Sequence, residues 1–313
     1  LLIDLPIPPK GKTGWPWTES SEPLPGHMPD GSPWPKISIV TPSYNQAQFL
    51  EETIRSVLLQ NYPNLEYIII DGGSNDSSVE IIKKYEPWLT YWVSEPDKGQ
   101  TFAIRKGIDR TTGFLVNWLN SDDILLDNAL KELALSYIES GNDLVVFCGN
   151  SIKIDKNGEL ISKSKVLFRP YKERTLPQTP PLSGGIQASR FLTKKAWDTV
   201  NGIDVNLNYT MDTDLYYRCH EQGINFIKIN HFLAAYRKHQ STKTNQGWQE
   251  SINYKKRFYY DKVNNLDKED KKKYKAKIDK RIFGYYMASI SKQDPMIIKT
   301  KKLIGAIRSY PTS

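Results

Sequence analysis

Between residues 37 and 150 the sequence alternates short apolar segments with amphipathic ones, and this alternation restricts the fold more than any other feature. The apolar segments are short and rich in β-branched and aromatic residues, which predicts strands. The intervening segments place apolar residues at helical spacing, as Leu50, Ile54 and Val57 do. Strands that alternate with helices predict an α/β fold with a parallel sheet and right-handed connections. The four clearest predicted strands are KISIVT, LEYIIID, LTYWVSE and FLVNWL.

The carboxyl ends of these strands carry the most polar motifs of the chain. In open parallel sheets, ligands bind in the crevice beyond the carboxyl ends of the strands. We therefore expect the functional residues to lie in the loops that follow each strand. Those loops read TPSYN (41–45), DGGSND (71–76), SEPDKG (94–99) and NSDD (120–123).

Two adjacent carboxylates, Asp122 and Asp123, close the fourth predicted strand. Neighbouring carboxylates repel each other, and a hard divalent cation such as Mg²⁺ or Mn²⁺ relieves that repulsion. The alternative is that one of them caps the helix that follows, since Asp is common at helix starts. The pair alone therefore leaves both a metal site and a helix cap open.

The loop that begins at Asp71 combines an acid with two glycines. Glycine lets the backbone approach a ligand closely, and the acid can accept hydrogen bonds from a base or a ribose. An ordinary turn of Gly, Asn and Asp is the alternative. The loop after the first strand contains neither GxGxxG nor a Walker lysine, which argues against a dinucleotide oxidoreductase or an ATPase.

Residues 37–240 resemble family 2 glycosyltransferases. This resemblance implies a GT-A fold, which is a Rossmann-like, mostly parallel central sheet flanked by helices. It also implies transfer of a sugar from a nucleotide-diphosphate sugar, most often a UDP-sugar, to an acceptor hydroxyl with inversion, assisted by Mn²⁺ or Mg²⁺. The motifs that carry it are IVTPSYNQAQFLEETIRSVLLQNYPNLEYIIIDGGSNDSS, SEPDKGQTFAIRKGI, NWLNSDD, YTMDTDLYYR and AYRKHQST.

The resemblance also implies roles for residues in the loops that follow the first three predicted strands. Residues after the first strand would line the nucleoside pocket. The acid after the second strand would contact the base, and the residues after the third strand would lie beside the ribose and the base. These donor-binding residues are Thr41, Pro42, Tyr44, Asp71, Asp97, Lys98 and Gly99.

The later motifs would supply the metal site and the base. Asp122 and Asp123 would bind a cation that holds the donor diphosphate, with His239 as a further ligand. Arg237 would close over the diphosphate. Asp212 would be the base that takes the proton of the acceptor hydroxyl.

Several residues depart from the family pattern or compete with these roles. Asn120 replaces the first Asp of the usual acidic motif, and Phe102 and Arg105 stand where an Asp and an Asn are expected. Arg105 would pair either with the donor diphosphate or with the acid after the second strand. For Asp212 the alternatives are a helix cap or a secondary role behind Asp214.

The sequence predicts three regions. Residues 1–36 hold nine of the nineteen prolines and form an extended strap. Residues 37–246 form the glycosyltransferase domain, with a nucleotide-binding half before Ile124 and an acceptor-binding, catalytic half after it. Residues 247–313 form a basic helical extension whose surface is either a solvated helical face or a contact with anionic lipid.

Charge and composition limit the partners and the location. Residues 251–313 carry 17 Lys and Arg against 6 Asp and Glu, so the rest of this +8 chain is slightly acidic, which argues against nucleic-acid binding. No apolar run is long enough for a membrane span, and no signal peptide is evident. We expect a cytoplasmic protein, with peripheral contact at the inner face of the membrane left open, and a carbohydrate or lipid-linked acceptor.

Two other function classes compete with the enzyme. A nucleotide-sugar-binding module without turnover would be expected to lack Asp122, Asp123 or Asp212, and all three are present. A nucleotidyltransferase would be expected to carry a Gly-rich loop with Lys or Arg after the first strand, where this chain has TPSYNQ.

Overall fold

The computed structural model describes residues 2–168, 182–240, 242–243, 248–264 and 268–289. Residues 169–181 and the last part of the predicted basic extension lie outside these residues. The chain divides into two compact units. The first contains residues 1–168 and 182–239, and the second contains the two helices near the end of the chain.

The first unit begins with four parallel strands joined by helices, as the sequence predicts. Parallel pairs join β2 to β1, β1 to β4 and β2 to β3, so the carboxyl ends of all four strands lie along one edge of the sheet. The elements are β1 (Ile37–Ser43), α1 (Ala47–Leu58), β2 (Leu65–Asp71), α2 (Ser78–Tyr85), β3 (Tyr91–Ser94), α3 (Gln100–Ile108) and β4 (Leu115–Trp118).

The second half of this unit extends the same sheet with strands of both directions. The strand order is β3-β2-β1-β4-β10-β6-β11-β5, with β7 paired to β6. The elements are β5 (Ile124–Leu125), α4 (Ala129–Ser140), β6 (Val145–Ile154), β7 (Leu160–Ser164), β8 (Leu167–Phe168), β9 (Leu182–Ser183), β10 (Arg190–Thr193), α5 (Lys194–Thr199), α6 (Met211–Glu221) and β11 (Asn225–Arg237).

Two features of this half differ from the predictions. Strand β10 runs antiparallel to both β4 and β6, so the sheet is mixed beyond its first four strands. The apolar runs NFIKI and FLAAYRK, which the sequence pattern indicates as two separate strands, belong to the single strand β11. The register of β11 shifts between Ile229 and Phe232. A bulge of this kind bends a strand without ending it, so a local break in pattern resembles a strand boundary.

The sheet is covered on both faces. Ile37 and Ile39 of β1 pack into one hydrophobic cluster, while Val40 packs into the cluster on the opposite face. All three side chains are fully buried, which explains why the strand reads as a continuous apolar run rather than an alternating one. On the second face, Trp118 and Trp197 meet edge to face with ring centroids 6.2 Å apart.

The N-terminal segment, residues 1–36, packs against α1 through one arginine. The side chain of Arg55 is fully buried. Its guanidinium donates hydrogen bonds to the carbonyl oxygens of Pro6 (2.8 Å), Pro16 (3.0 Å) and Trp17 (2.7 Å). These oxygens belong to a segment without regular hydrogen bonding, so the arginine satisfies acceptors that would otherwise be buried unpaired.

The second unit contains α7 (Trp248–Asn264) and α8 (Lys268–Ser289). The two helices pack against each other, and the hydroxyl of Tyr260 on α7 donates a hydrogen bond to Asp279 on α8. Burial, together with this carboxylate, raises the pKa of Tyr260 above its ordinary value. Within the described residues, no helix has the length and apolar character that a bilayer span requires.

The contacts of Arg55 predict a large stability effect. Arg55→Met should lower the free energy of unfolding by about 3 kcal/mol, because several buried carbonyl oxygens lose their donor. Arg110→Met is the matched control, since Arg110 is exposed, donates to Lys106 O of its own turn (2.9 Å) and otherwise lies over the Tyr91 ring at 5.3 Å. It should change stability by less than about 0.5 kcal/mol. Urea unfolding would measure both, and equal losses would contradict the role of Arg55.

Candidate functional site

The loops after β1 and β2 are tied together by side-chain hydrogen bonds. Asp76 Oδ2 accepts from the amide of Ala47 (3.0 Å), and Ser74 Oγ accepts from the amide of Asn45 (2.8 Å). In return, Asn45 Oδ1 accepts from the amide of Asn75 (2.9 Å). The first amide of α1, that of Ala47, is therefore capped by the neighbouring loop, since the N-cap residue of the helix contributes no side-chain bond.

Asp71 organises the edge of the sheet from a fully buried position. Its carboxylate accepts from the amides of Gly73 (3.1 Å) and Ser74 (2.8 Å) and from the hydroxyls of Ser74 (2.6 Å) and Ser94 (2.7 Å). Four donors from the ends of β2 and β3 thus converge on one carboxylate. Its proposed contact with a nucleobase stays a prediction, beside this structural role.

The loop after β3 lies directly against the loop after β2. A Cβ at Gly72 would come within 3.0 Å of an Asp97 carboxylate oxygen, and one at Gly73 within 3.1 Å of the Pro96 nitrogen. Gly73 also has φ +80°, which other residues rarely adopt. Asp97 Oδ1 accepts from the amide of Gly99 (2.6 Å). The two glycines therefore permit an approach that brings Asp97 beside the Asp71 loop.

The predicted nucleoside-pocket residues differ in exposure. Thr41 is fully buried and shares a 3.0 Å hydrogen bond with the hydroxyl of Tyr67. Pro42 is also buried within β1, whereas the side chain of Tyr44 is 60% exposed. Only Tyr44 of these three offers its side chain to a ligand. Ser43, which the sequence analysis passed over, has a buried hydroxyl with no hydrogen-bond partner.

Lys98 and Arg105, the two predicted donor-binding cations of the SEPDKGQTFAIRKGI motif, take different positions. Lys98 is exposed in the loop before α3. Arg105 donates to Asp109 Oδ2 (2.9 Å) and to the carbonyl of Asn201 (2.6 Å). Its guanidinium therefore contacts these residues rather than Asp71, and its predicted pairing with the donor diphosphate stays a prediction.

The loop after β4, residues 120–123, is called the acidic loop, and its two carboxylates point in different directions. Asp122 Oδ2 lies 2.9 Å from His239 Nε2. Asp123 is buried and accepts from the backbone amide of Arg237 (3.0 Å) and from the Asn120 side-chain amide (3.1 Å). Burial and the charge of Asp122 raise the pKa of Asp123 well above its ordinary value. The carboxylate of Asp123 thus faces the protein interior, and its predicted role as a metal ligand stays a prediction.

Further contacts connect this loop to the second half of the unit. Gln100 donates to Asn120 Oδ1 (2.7 Å), and Thr101 donates to the carbonyl of Leu207 (2.9 Å). Gln187 donates to the carbonyl at the end of β4 (2.7 Å). The start of α3, the end of β4 and the segment before α6 therefore meet at the edge where the parallel strands end.

The first turn of α6 carries two carboxylates in contrasting environments. Asp214 forms an ion pair with Arg218 (2.7 Å), which also donates to the carbonyl of Gly202 (2.7 Å). Asp212 is half-buried, and among the described residues its side chain makes one long contact, 3.4 Å, with the hydroxyl of Thr213. Of the two, Asp212 is the carboxylate that is open to a ligand.

A polar pair one turn beyond Asp212 was not predicted. The guanidinium of Arg190 lies over the ring of Tyr216, 4.7 Å from its centroid, and donates to the carbonyl of Gly184 (3.0 Å). The hydroxyl of Tyr216 and the Nε of Arg190 are buried without hydrogen-bond partners. Arg190 lies outside the motifs, and Tyr216 lies within YTMDTDLYYR without an assigned role, so only the tertiary structure reveals the pair.

The family model described as glycosyl transferase family 2 matches residues 38–200, which is more than half of the chain. The chain therefore belongs to glycosyl transferase family 2, and the family predicted from the sequence motifs is confirmed.

Relatives with curated names agree with this family. An uncharacterized glycosyltransferase of Rickettsia typhi is 29% identical over 187 residues, which cover 59% of this chain and 58% of the relative. Chondroitin synthase of Escherichia coli is 28% identical over 207 residues, covering 64% of this chain and 29% of that protein. The chain thus spans less than two thirds of the length of either relative.

Solved structures agree with the predicted fold. A crystal structure of S. aureus TarS, residues 1–349, in complex with UDP-GlcNAc has a TM-score of 0.62 at 15% identity. The match covers 88% of this chain and 82% of that chain. At this low identity the similarity concerns the fold alone, and it confirms the predicted GT-A-like α/β architecture.

The four hydrogen bonds to Asp71 predict a measurable stability effect. Asp71→Asn should lower the free energy of unfolding by about 2–3 kcal/mol, because an amide nitrogen would face several buried donors. Asp97→Asn is the control, since Asp97 is exposed and accepts from one amide. It should cost less than about 1 kcal/mol. Chemical denaturation would test this, and a neutral Asp71→Asn would contradict the organising role of this carboxylate.

Proposed function

We propose that this protein transfers a sugar from a nucleotide-diphosphate sugar, a UDP-sugar, to an acceptor hydroxyl with inversion at the anomeric carbon. The observation that carries the proposal is the pairing of Asp122 with His239 beside the interlocked strand-end loops. Asp212, in the first turn of α6, is half-buried. Family membership supports it. The binding of UDP-GlcNAc by the structurally similar TarS supports a uridine nucleotide.

Donor binding would use the loops at the carboxyl edge of the sheet. The exposed ring of Tyr44 offers a face for the base, and the unpartnered hydroxyl of Ser43 offers a polar group beside it. Asp71 would hold its loop in place for the donor, and a lone pair left on its carboxylate would accept a hydrogen bond from the base. Lys98 would add a positive charge close to the nucleotide.

The residues present fit a divalent cation that takes a few of its ligands from the protein and the others from the donor. One carboxylate, from Asp122, and one imidazole, from His239, already face each other, and donor phosphates commonly complete the coordination of Mg²⁺ or Mn²⁺. Among the described residues, no group of three or more acidic, His or Cys side chains forms a self-sufficient metal cluster. When bound, the cation would stabilise the charge that develops on the leaving diphosphate.

Acceptor activation would fall to Asp212. Its carboxylate is not held by an ion pair, unlike that of Asp214, so it is available to accept the proton of an attacking hydroxyl. General-base assistance of this kind contributes about 10²–10⁴-fold to rate. The proton moves to the carboxylate as the acceptor oxygen bonds to the anomeric carbon and the bond from that carbon to the diphosphate breaks.

The acceptor is proposed only by class, as a carbohydrate or a lipid-linked carbohydrate in surface polysaccharide or glycan synthesis. The name of the E. coli relative, chondroitin synthase, supports a polysaccharide context. Peripheral contact with an anionic membrane stays a prediction that rests on charge. Exposed lysines of α8 that would serve it include Lys268, Lys272, Lys275 and Lys280.

Ligand-induced stabilisation tests the donor and the metal together. UDP should raise the melting temperature more in the presence of Mn²⁺ than in its absence, because a ligand that binds only the folded state stabilises it. ADP and GDP should give smaller shifts. In Asp122→Asn the Mn²⁺-dependent part of the UDP shift should disappear. No shift with any nucleoside diphosphate, with or without Mn²⁺, would contradict the proposed function.

The two carboxylates of α6 provide a matched test of the base. Asp212→Asn should lower the transfer rate about 10²–10⁴-fold while UDP binding and stability remain. Asp214→Asn should instead lower the melting temperature, because Arg218 loses its ion pair, and should retain transfer in the folded protein. Radiolabelled sugar transfer and thermal melting would separate the two. Full activity of Asp212→Asn would exclude this residue as the base.

A further inference from the structure

We infer that Arg237 and Glu52 are positioning residues that hold Asp122 and His239 in their paired geometry, and that Arg237 is not a ligand of the donor diphosphate. This inference rests on the proposed function, because it assigns the residues behind the site that the proposal uses. It differs from the role that family resemblance implies for Arg237, which is closure over the diphosphate.

The burial of Arg237 is the first observation. Its side chain is 1% exposed, and its guanidinium forms an ion pair with Glu52 Oε2 at 3.0 Å, where the Glu52 side chain is 13% exposed. A buried guanidinium requires a counter-charge, and removing one partner of such a pair is strongly destabilising. Glu52 therefore fixes this arginine against α1, and a move towards solvent would leave the carboxylate without its partner.

Arg237 also holds the acidic loop from two sides. Its Nε donates to the backbone carbonyl of Asp122 (2.9 Å), and its backbone amide donates to Asp123 Oδ1 (3.0 Å). The peptide group between the two acids is thus fixed by one residue from the end of β11. Fixing that peptide sets the direction in which the Asp122 side chain leaves the backbone.

A shared aromatic platform connects Arg237 to His239. The guanidinium lies 4.9 Å from the ring centroid of Phe49, and the imidazole of His239 lies 4.8 Å from the same centroid. Phe49 and Glu52 are three residues apart on α1, so both project from one face of the helix. This face of α1 therefore contacts both Arg237, which donates to the backbone of the acidic loop, and His239, which reaches the Asp122 side chain.

These contacts leave Arg237 little freedom to bind phosphate. Its Nε donates to Asp122 O, and Nη1 makes a longer 3.4 Å contact with Asp155 O. Its Nη2 is buried 3.0 Å from Glu52 Oε2 as an ion pair without hydrogen-bond geometry. The charge is already matched within the protein. His239, two residues later, is the member of this segment that reaches the Asp122 side chain.

Two neighbouring glutamates on α1 give a matched experiment. Glu52→Gln removes the charge that fixes Arg237, whereas Glu51→Gln makes the same change at a residue bonded to Lys84 (2.6 Å) and the Tyr85 hydroxyl (2.8 Å). Mn²⁺ binding would be measured in the presence of UDP by electron paramagnetic resonance of free Mn²⁺, well below the melting temperature of each variant. Glu52→Gln should bind Mn²⁺ about 10–100-fold more weakly, as expected when support of a metal ligand is lost. Glu51→Gln should match the wild-type affinity.

The outcomes separate the inference from the proposed function. Equal Mn²⁺ affinity in wild type and Glu52→Gln, even with a lower melting temperature, would show a purely structural ion pair and overturn the inference alone. No Mn²⁺ binding by the wild-type protein with UDP would overturn the proposed metal site, and the inference with it. If Glu52→Gln does not fold, Arg237→Lys replaces it, because lysine keeps the charge for Glu52 but loses the Nε bond to Asp122 O. Wild-type affinity in Arg237→Lys would then overturn the inference.

Discussion

The convergence of four donors on the buried carboxylate of Asp71 is the interaction on which the site depends. Parallel strands that end together leave amides and loop hydroxyls crowded at one edge of the sheet, and a single acid satisfies those of two neighbouring loops. Once these loops are fixed, the amides at the start of α1 are capped from the side by Asp76 and Ser74. These bonds fix the start of α1 against the end of the sheet. Further along the helix, Phe49 and Glu52 can then contact Arg237, which holds the acidic loop.

Local sequence patterns were sufficient for the fold but not for the whole site. The first four strands and their helices follow from hydrophobic periodicity, because each element satisfies most of its requirements within a short window. The antiparallel insertion of β10 between β4 and β6 has no such local signal, because it depends on residues far away in the chain. The same holds for Asp123 and Arg237, which are 114 residues apart and meet only in the folded protein. A motif marks Asp123 as acidic, but it does not show which way the carboxylate turns.

The acidic loop resolves the repulsion between its two carboxylates by separating their environments. Asp123 is turned inwards, where an amide from the main chain and one from Asn120 compensate its burial. Asn at position 120 is therefore informative, because an Asp there could not donate that hydrogen bond while ionised. Asp122 is left to face His239 at the edge of the sheet. The departure from the usual acidic motif thus has a structural reason within this chain.

The site is completed only by residues from both halves of the first unit. The strand-end loops before Ile124 supply Asp71 and Asp122, whereas His239 and the arginine behind it arrive at the end of β11. Strand β11 reaches this position because it continues through its irregular register instead of stopping where the pattern breaks. If the strand ended at Ile229, the last residues of the segment would lose the pairing with β6 that directs them towards the acidic loop. The bulge that obscured the strand in the sequence is therefore part of what assembles the site.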